Sequence, residues 1–364
     1  MVNSNQTPAN SFVVAMRKVY NPIGFSKGYN FVLWFLTIGY IMGFTLARLQ
    51  YFSFYGIFCN PRVHGASGAS PGECYFYLQN PFKIGMMLHL FCILPAGVLV
   101  CFQFVPAIRH KVILFHRING YLVILLSLTA NAGVLVVAQH AFGGDMATRI
   151  LTGVLVISTT VAYVLAWINI KRLQIDQHRA WMMRAWAYFS SIITLRIIMF
   201  LAALIISSIG GFYTSRPCAQ IASIVGQDMT INLYPGCLPF FQGKDNALEV
   251  LVKAGFPNGN PVEIGAGLGI TFGSAGWLAF WIHAVAIEFY LRLTPAEGQR
   301  LRQVSYERQL ERGFRHPGSA GLVAQRLGDA NAYVPPSRGT DALSAGEGYM
   351  LSVPGKKRRV EGMH

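Results

Sequence analysis

Apolar residues in this chain come in long runs, without the alternation of a half-buried strand or the three-to-four spacing of an amphipathic helix. Six runs lie at about residues 29–51, 84–106, 119–139, 147–170, 180–206 and 268–291. Each reaches the roughly 20 residues that cross about 30 Å of hydrocarbon. The pattern predicts an all-α fold, a polytopic membrane helix bundle of about six transmembrane helices. An amino-terminal segment (1–28) precedes the membrane domain (29–293), which carries one long extracytosolic loop (207–267), and a tail (294–364) follows it.

Composition agrees with the runs. Of 364 residues, 53% are hydrophobic and 12% charged, against about 25% charged in a soluble domain. Mean hydropathy is +0.41. The first 28 residues lack an apolar core ending in small residues, so the first span is expected to act as an uncleaved signal anchor.

A formal charge of +15 would suggest nucleic acid as a partner in a soluble protein. The positions of the charges argue against it. Arg17, Lys18 and Lys27 precede the first span, Arg109, Lys111 and Arg117 separate the second from the third, and Lys171 and Arg172 follow the fourth. The alternate loops are poorer in charge, holding Arg62 and Lys83, then Arg149, then Arg216, Lys244 and Lys253. By the positive-inside rule both termini are cytosolic. The expected location is a secretory-pathway or plasma membrane, with membrane lipids as partners.

Cysteine positions fit that orientation. Cys59 and Cys74 fall in the first outer loop and Cys218 and Cys237 in the third, while Cys92 and Cys101 lie within the second span. Paired cysteines outside the cytosol read as disulfides, here Cys59 with Cys74 and Cys218 with Cys237. A bridge between the loops and free thiols remain as alternatives.

Gly265, Gly269 and Gly273 form a small-residue ridge that lets another helix approach the sixth span. In the tail, residues 299–315 are arginine-rich and predict a helix near the membrane. The following glycine-, proline- and serine-rich stretch has the composition of a disordered segment, and Lys356, Lys357, Arg358 and Arg359 form a basic cluster. Asn5-Gln6-Thr7 matches a glycosylation acceptor, but on the cytosolic side.

Ionisable residues inside spans are costly and are functional candidates by default. They are His89, Arg184, Arg196, His283 and Glu288. The last is expected to pair with Arg292 on its own helix. His116-Arg117 opens the third span and His178-Arg179 the fifth. Both helices run outward from the cytosol, so the pairs share a depth. Two imidazoles at one level suit axial ligation of a b-type haem (haem b), with Arg117, Arg179 and Arg184 on its propionates. A divalent metal is the other option; the plain alternative is that each pair faces lipid headgroups and caps its helix. Arg196 lies roughly 27 Å beyond His178 along the fifth span. It either snorkels or anchors an anionic headgroup or carboxylate, with His89 as a further contact. Phosphate loops, metalloprotease helices and nucleophile elbows are absent.

These residues carry a resemblance. The run from His89 through Gln103-Phe104, His116-Arg117-Ile118-Asn119-Gly120-Tyr121, Gly143-Gly144 and His178-Arg179-Ala180-Trp181-Met182 to Arg184 and Thr194-Leu195-Arg196 resembles the domain-of-unknown-function family 2306. The resemblance covers about residues 84–204 and implies a four-helix core, without an established activity. A looser similarity is to the cytochrome b561 and ferric-reductase-like group, from which this sequence departs by lacking a histidine in the fourth span.

Three functions follow as expectations. The first is a transmembrane oxidoreductase or electron carrier using haem b, with an unnamed redox partner. The second is a non-redox binding or transport protein for a lipid or hydrophobic anion. An accessory membrane protein of a biosynthetic pathway is the third.

Overall fold

The computed structural model describes residues 10–61 and 68–335. The Asn5 acceptor, Arg62 and the basic cluster at 356–359 lie outside the described residues.

A short helix, α1 (Ser11–Tyr20), leads to the first span, α2 (Gly28–Arg48), which ends in a tight 3₁₀ turn at Leu49–Phe52 and a wide π-helical turn at Phe54–Phe58. The one-turn α3 (Glu73–Tyr77) precedes the second span, α4 (Phe82–Gln103). After α5 (Pro106–Lys111) come α6 (Ile113–Val137), α7 (Met146–Lys171) and α8 (Ile175–Ile209), the third to fifth spans. The long loop pairs β1 (Tyr213–Pro217) antiparallel with β2 (Glu249–Lys253), in register Tyr213↔Lys253, around α9 (Cys218–Val225), α10 (Gln227–Leu233) and α11 (Leu238–Phe241). The sixth span, α12 (Pro261–Leu293), is followed by α13 (Pro295–Glu311). Among the described residues, six helices are long and apolar enough to cross a membrane. The chain is a multi-pass integral membrane protein. Lipid offers no partner to backbone N–H and C=O groups, so each crossing must satisfy its own as a helix.

The bundle is built on three long contacts, α4 along α6, α7 along α8, and α8 along α12. The sixth span is therefore as much part of the core as the four central ones. The first span is peripheral: it lies against α4 and touches α8 at few points. Gly85 and Gly133 bring α4 and α6 so close that a Cβ on either would meet the other's backbone carbonyl. Asn131 on α6 donates to Thr159 Oγ1 on α7 at 3.0 Å.

The glycine ridge of α12 does not seat one helix, as its spacing suggests. Gly265 faces the Pro71 carbonyl, Gly269 faces Arg216 and the Phe142 carbonyl, Gly273 faces Ala147, and Gly276 faces Leu151 and Leu195. Two disulfides, Cys59–Cys74 and Cys218–Cys237, hold the loops at this end. It is called the disulfide end below, and the opposite one, near α1 and α13, the terminal end.

At the terminal end the tail differs from its composition. Residues 312–335 follow α13 and dock against the α7–α8 junction through buried side-chain amides. Gln174 and Gln309, both fully buried, bond to each other at 3.1 Å. Gln174 Oε1 also accepts the Gly321 N–H at 3.1 Å, Gln309 Oε1 the Gly318 N–H at 2.7 Å, and Asn169 Oδ1 the Leu322 N–H at 2.8 Å. Buried amides thus supply the partners that an irregular backbone lacks. Hydropathy could not show this, because Gln174 lies 147 residues before Gly321 and Asn169 lies 153 before Leu322.

A Cβ on Gly321 would collide with the Gln174 side chain and the Asn169 amide. Gly321→Leu should release the segment at a local cost of about 1–3 kcal/mol. Limited trypsinolysis of the solubilised protein should then cut at Arg326 faster than in the parent, with the bundle's melting unchanged. Equal protection of Arg326 in both proteins would refute the docked path.

Candidate functional site

Arg196 projects from α8 toward the disulfide end. Its guanidinium stacks over the rings of Phe142 and Phe272, 4.7 and 5.4 Å to the centroids, and those rings stack on each other at 4.1 Å. Among the described residues it takes part in no hydrogen bond or ion pair. It lines a groove of about 400 Å³ between α2 and α8, whose walls include Gly39, Gly43, Phe44, Phe200 and a second arginine, Arg48. Arg48 stacks over Phe44 at 3.9 Å and lies within electrostatic reach of Arg196. The volume falls within the range of roughly 300–1,000 Å³ usual for small-molecule sites.

Behind Arg196 a polar cap closes the bundle. Glu73, 4% exposed, accepts the Phe142 N–H on both oxygens at 3.0 Å and the Tyr77 hydroxyl. Arg216, 8% exposed, fits against Gly143 and Gly269 and donates to the Gly265 carbonyl at 3.4 Å. Burial pushes the Glu73 carboxyl up; the bonds from Tyr77 and Phe142, and the charges of Arg216 and Arg196, pull it back. Burial lowers Arg216 against the opposing pull of Glu73, Asp145 and Glu249. The Cys59–Cys74 bridge anchors α3, on which Glu73 is the first residue.

His89 lies nearby, within electrostatic reach of Arg196, but is not part of the groove wall. Its Nδ1–H donates to the Ala130 carbonyl at 3.1 Å across the Gly85–Gly133 contact.

The terminal end holds the two His-Arg pairs. His116 and His178 come within electrostatic reach of each other. His178 Nδ1–H donates to the Ala166 carbonyl at 2.9 Å, which leaves its Nε2 free. His116 Nδ1 is buried with no hydrogen-bond partner among the described residues. Arg179 reaches the Tyr290 hydroxyl at 3.4 Å, and Arg117 is exposed at the start of α6. Arg184 binds Glu288 through two bonds of 2.6 and 3.0 Å. Here the structure corrects the expected Glu288–Arg292 pair: α8 and α12 lie close enough for a two-pronged guanidinium contact, a stronger match than one along a helix surface. His283 is satisfied between Thr194 Oγ1 at 2.8 Å and Ser190 Oγ at 3.2 Å, so it does not join the His116–His178 neighbourhood.

Sequence reasoning passed over Arg48, Glu73, Tyr77 and the placement of Arg216. Arg48 had a usable signal, being an arginine in the last turn of a span at the end where cations are few. Glu73 and Tyr77 sit in a loop, where nothing in the pattern distinguishes a buried carboxylate from a solvated one.

Comparison with known proteins finds two likenesses. Residues 86–234 match the family model described as predicted membrane protein (DUF2306). The chain is also 25% identical over 332 residues to the Ava biosynthesis cluster protein G of Aspergillus versicolor, a match covering 79% of this chain and 96% of that protein. No solved structure matches. Nothing in these comparisons supports the looser likeness to cytochrome b561.

Glu73 generates a pH prediction. Its folded-state pKa is raised, so the folded protein holds the proton more tightly than the unfolded chain. That contribution to stability is complete below the ordinary value of 4.5 and is lost as pH rises through the elevated one. Between about pH 4 and pH 8 the thermal midpoint of Glu73→Gln should therefore fall less than that of the parent. Parallel curves would show that Glu73 titrates normally.

Proposed function

We propose that this protein is a non-redox membrane binding protein, of the kind that carries or presents a hydrophobic anion, with Arg196 as the principal contact. The observation that carries this reading is the guanidinium of Arg196 facing a groove without a carboxylate bonded to it. A charge at that depth is expensive unless paired. The two aromatic rings beneath it supply only cation–π attraction, of about 0.5–2 kcal/mol, and leave its N–H fork free to donate to an oxyanion. His89 contributes a polar group nearby, without lining the groove. With both termini in the cytosol, as the arginines and lysines of the terminal end and the disulfides of the other end support, the groove opens toward the extracytosolic leaflet. The name of the Aspergillus versicolor relative, a biosynthesis cluster protein, supports an accessory place in a biosynthetic pathway.

A second reading rests on the unpartnered Nδ1 of His116 beside His178: electron transfer through haem b. His116 and His178 would be its ligands, and Arg117 and Arg179 are the arginines left for its propionates, since Arg184 is held by Glu288. A bound haem would supply one-electron chemistry there, and the four side chains would fix its position.

Two measurements separate the readings. Arg196→Gln should weaken binding of a fluorescent anionic amphiphile by about 10- to 150-fold, the worth of one charge-assisted hydrogen bond of about 1.5–3 kcal/mol, while Arg196→Lys retains part of it. Undiminished binding in Arg196→Gln excludes the first reading. Purified protein with neither a Soret band nor iron excludes the second.

A further inference from the structure

Gly39 and Gly43 stand one helical turn apart on α2, and a Cβ added to either would meet nothing within 4 Å. Gly85, Gly133, Gly269 and Gly276 pack against another chain segment, whereas Gly153 on α7, like Gly39 and Gly43, does not. Gly39 and Gly43 differ from Gly153 in that the space they border is the groove. Its rim is hydrocarbon: Ile197 and Phe200 on α8 are 52% and 42% exposed, as residues facing lipid chains would be. At the disulfide end of the same groove stand the two guanidiniums of Arg48 and Arg196. Each rests on aromatic rings, Arg48 on Phe44 and Arg196 on Phe142 and Phe272. Neither takes part in a hydrogen bond or ion pair among the described residues.

We infer that the groove is a lateral binding site for a single-chain amphiphile with a carboxylate or phosphate head, which Arg48 and Arg196 hold together while the chain lies along Gly39 and Gly43. This rests on the proposed role of Arg196 and adds three things: a second contact, a route from the bilayer, and a shape for the ligand. Two like charges at one mouth repel unless an anion sits between them, so the pair favours a head with more than one oxyanion oxygen. The glycines leave width for a chain, and the open side lets it slide in from lipid without crossing water. Carboxylate and phosphate heads share this chemistry and differ in source, the first from free fatty acids and the second from lysophospholipids.

The test uses the full chain, purified and placed in nanodiscs of neutral lipid, with a fluorescent fatty acid as probe. Unlabelled fatty acid, lysophosphatidic acid and monoacylglycerol serve as competitors. Both anionic competitors should displace the probe and the neutral one should not; the stronger of the two identifies the source. Arg48→Gln should weaken probe binding at least tenfold and Arg48→Lys less. Gly39→Leu and Gly43→Leu extend side chains into the groove and should abolish binding with melting unchanged, because a Cβ at either position has no protein atom within 4 Å. If Arg196→Gln loses the probe while Arg48→Gln and both leucine variants bind like the parent, the anion site stands but this lateral groove does not. Competition by monoacylglycerol equal to that of the anions overturns the assignment of the head.

Discussion

The disulfide end of this bundle depends on a bare strip of backbone along α12. At Gly265, Gly269, Gly273 and Gly276 the helix offers no side chain, and several parts of the protein rest on it: Pro71, the Phe142–Arg216 layer, α7 through Ala147 and Leu151, and α8 through Leu195. Any larger residue there would lift the loops off the span. Because they sit down, the Phe142 ring reaches Phe272 and forms the floor under Arg196, and the Phe142 N–H reaches Glu73. Gly143, at φ +91°, makes the turn that presents Phe142 and leaves room for Arg216. Close approach of this sort gains van der Waals contact where lipid removes any hydrophobic drive between helices.

That packing has an electrostatic consequence. The cap buries one carboxylate, Glu73, near two arginines, and it gives the carboxylate's hydrogen bonds to Phe142 and Tyr77 instead of to Arg196. Arg196 is therefore within electrostatic reach of Glu73 without a carboxylate bonded to its guanidinium among the described residues. The contrast is Arg184, on the same helix, which has its own carboxylate at 2.6 Å. One helix therefore carries a structural arginine and an available one, and the distinction lies in their partners.

How much of this was legible in the chain follows from the range of each interaction. Spans could be read because crossing lipid is a property of about twenty consecutive residues, and the helices fall where the apolar runs lie. The cysteine pairs could be read because each closes within one loop, 15 and 19 residues apart. Arg196 stands out as an ionisable residue inside an apolar run, and His116 and His178 by the His-Arg pair that opens two spans. Gln174 with Gln309, Arg184 with Glu288 and Glu73 with Phe142 are pairings between distant segments, and no local pattern carries them. The docked tail is the clearest case. Its glycines look like those of a loose linker, yet at Gly321 the missing side chain is what allows contact.

The division of the groove between segments bears on what is particular to this protein. The family match spans 86–234, so it includes His89, Arg196 and Arg216 but stops short of Arg48, Glu73 and the glycines of the first span. One wall, with the available arginine, belongs to the matched core. The other wall is supplied by α2, a peripheral helix with few contacts to α8. A peripheral helix is the cheapest element to change, since its substitutions disturb little of the core packing. On the proposed reading, the matched segment would supply the charge of Arg196 and the first span the width of the groove and the second charge, Arg48.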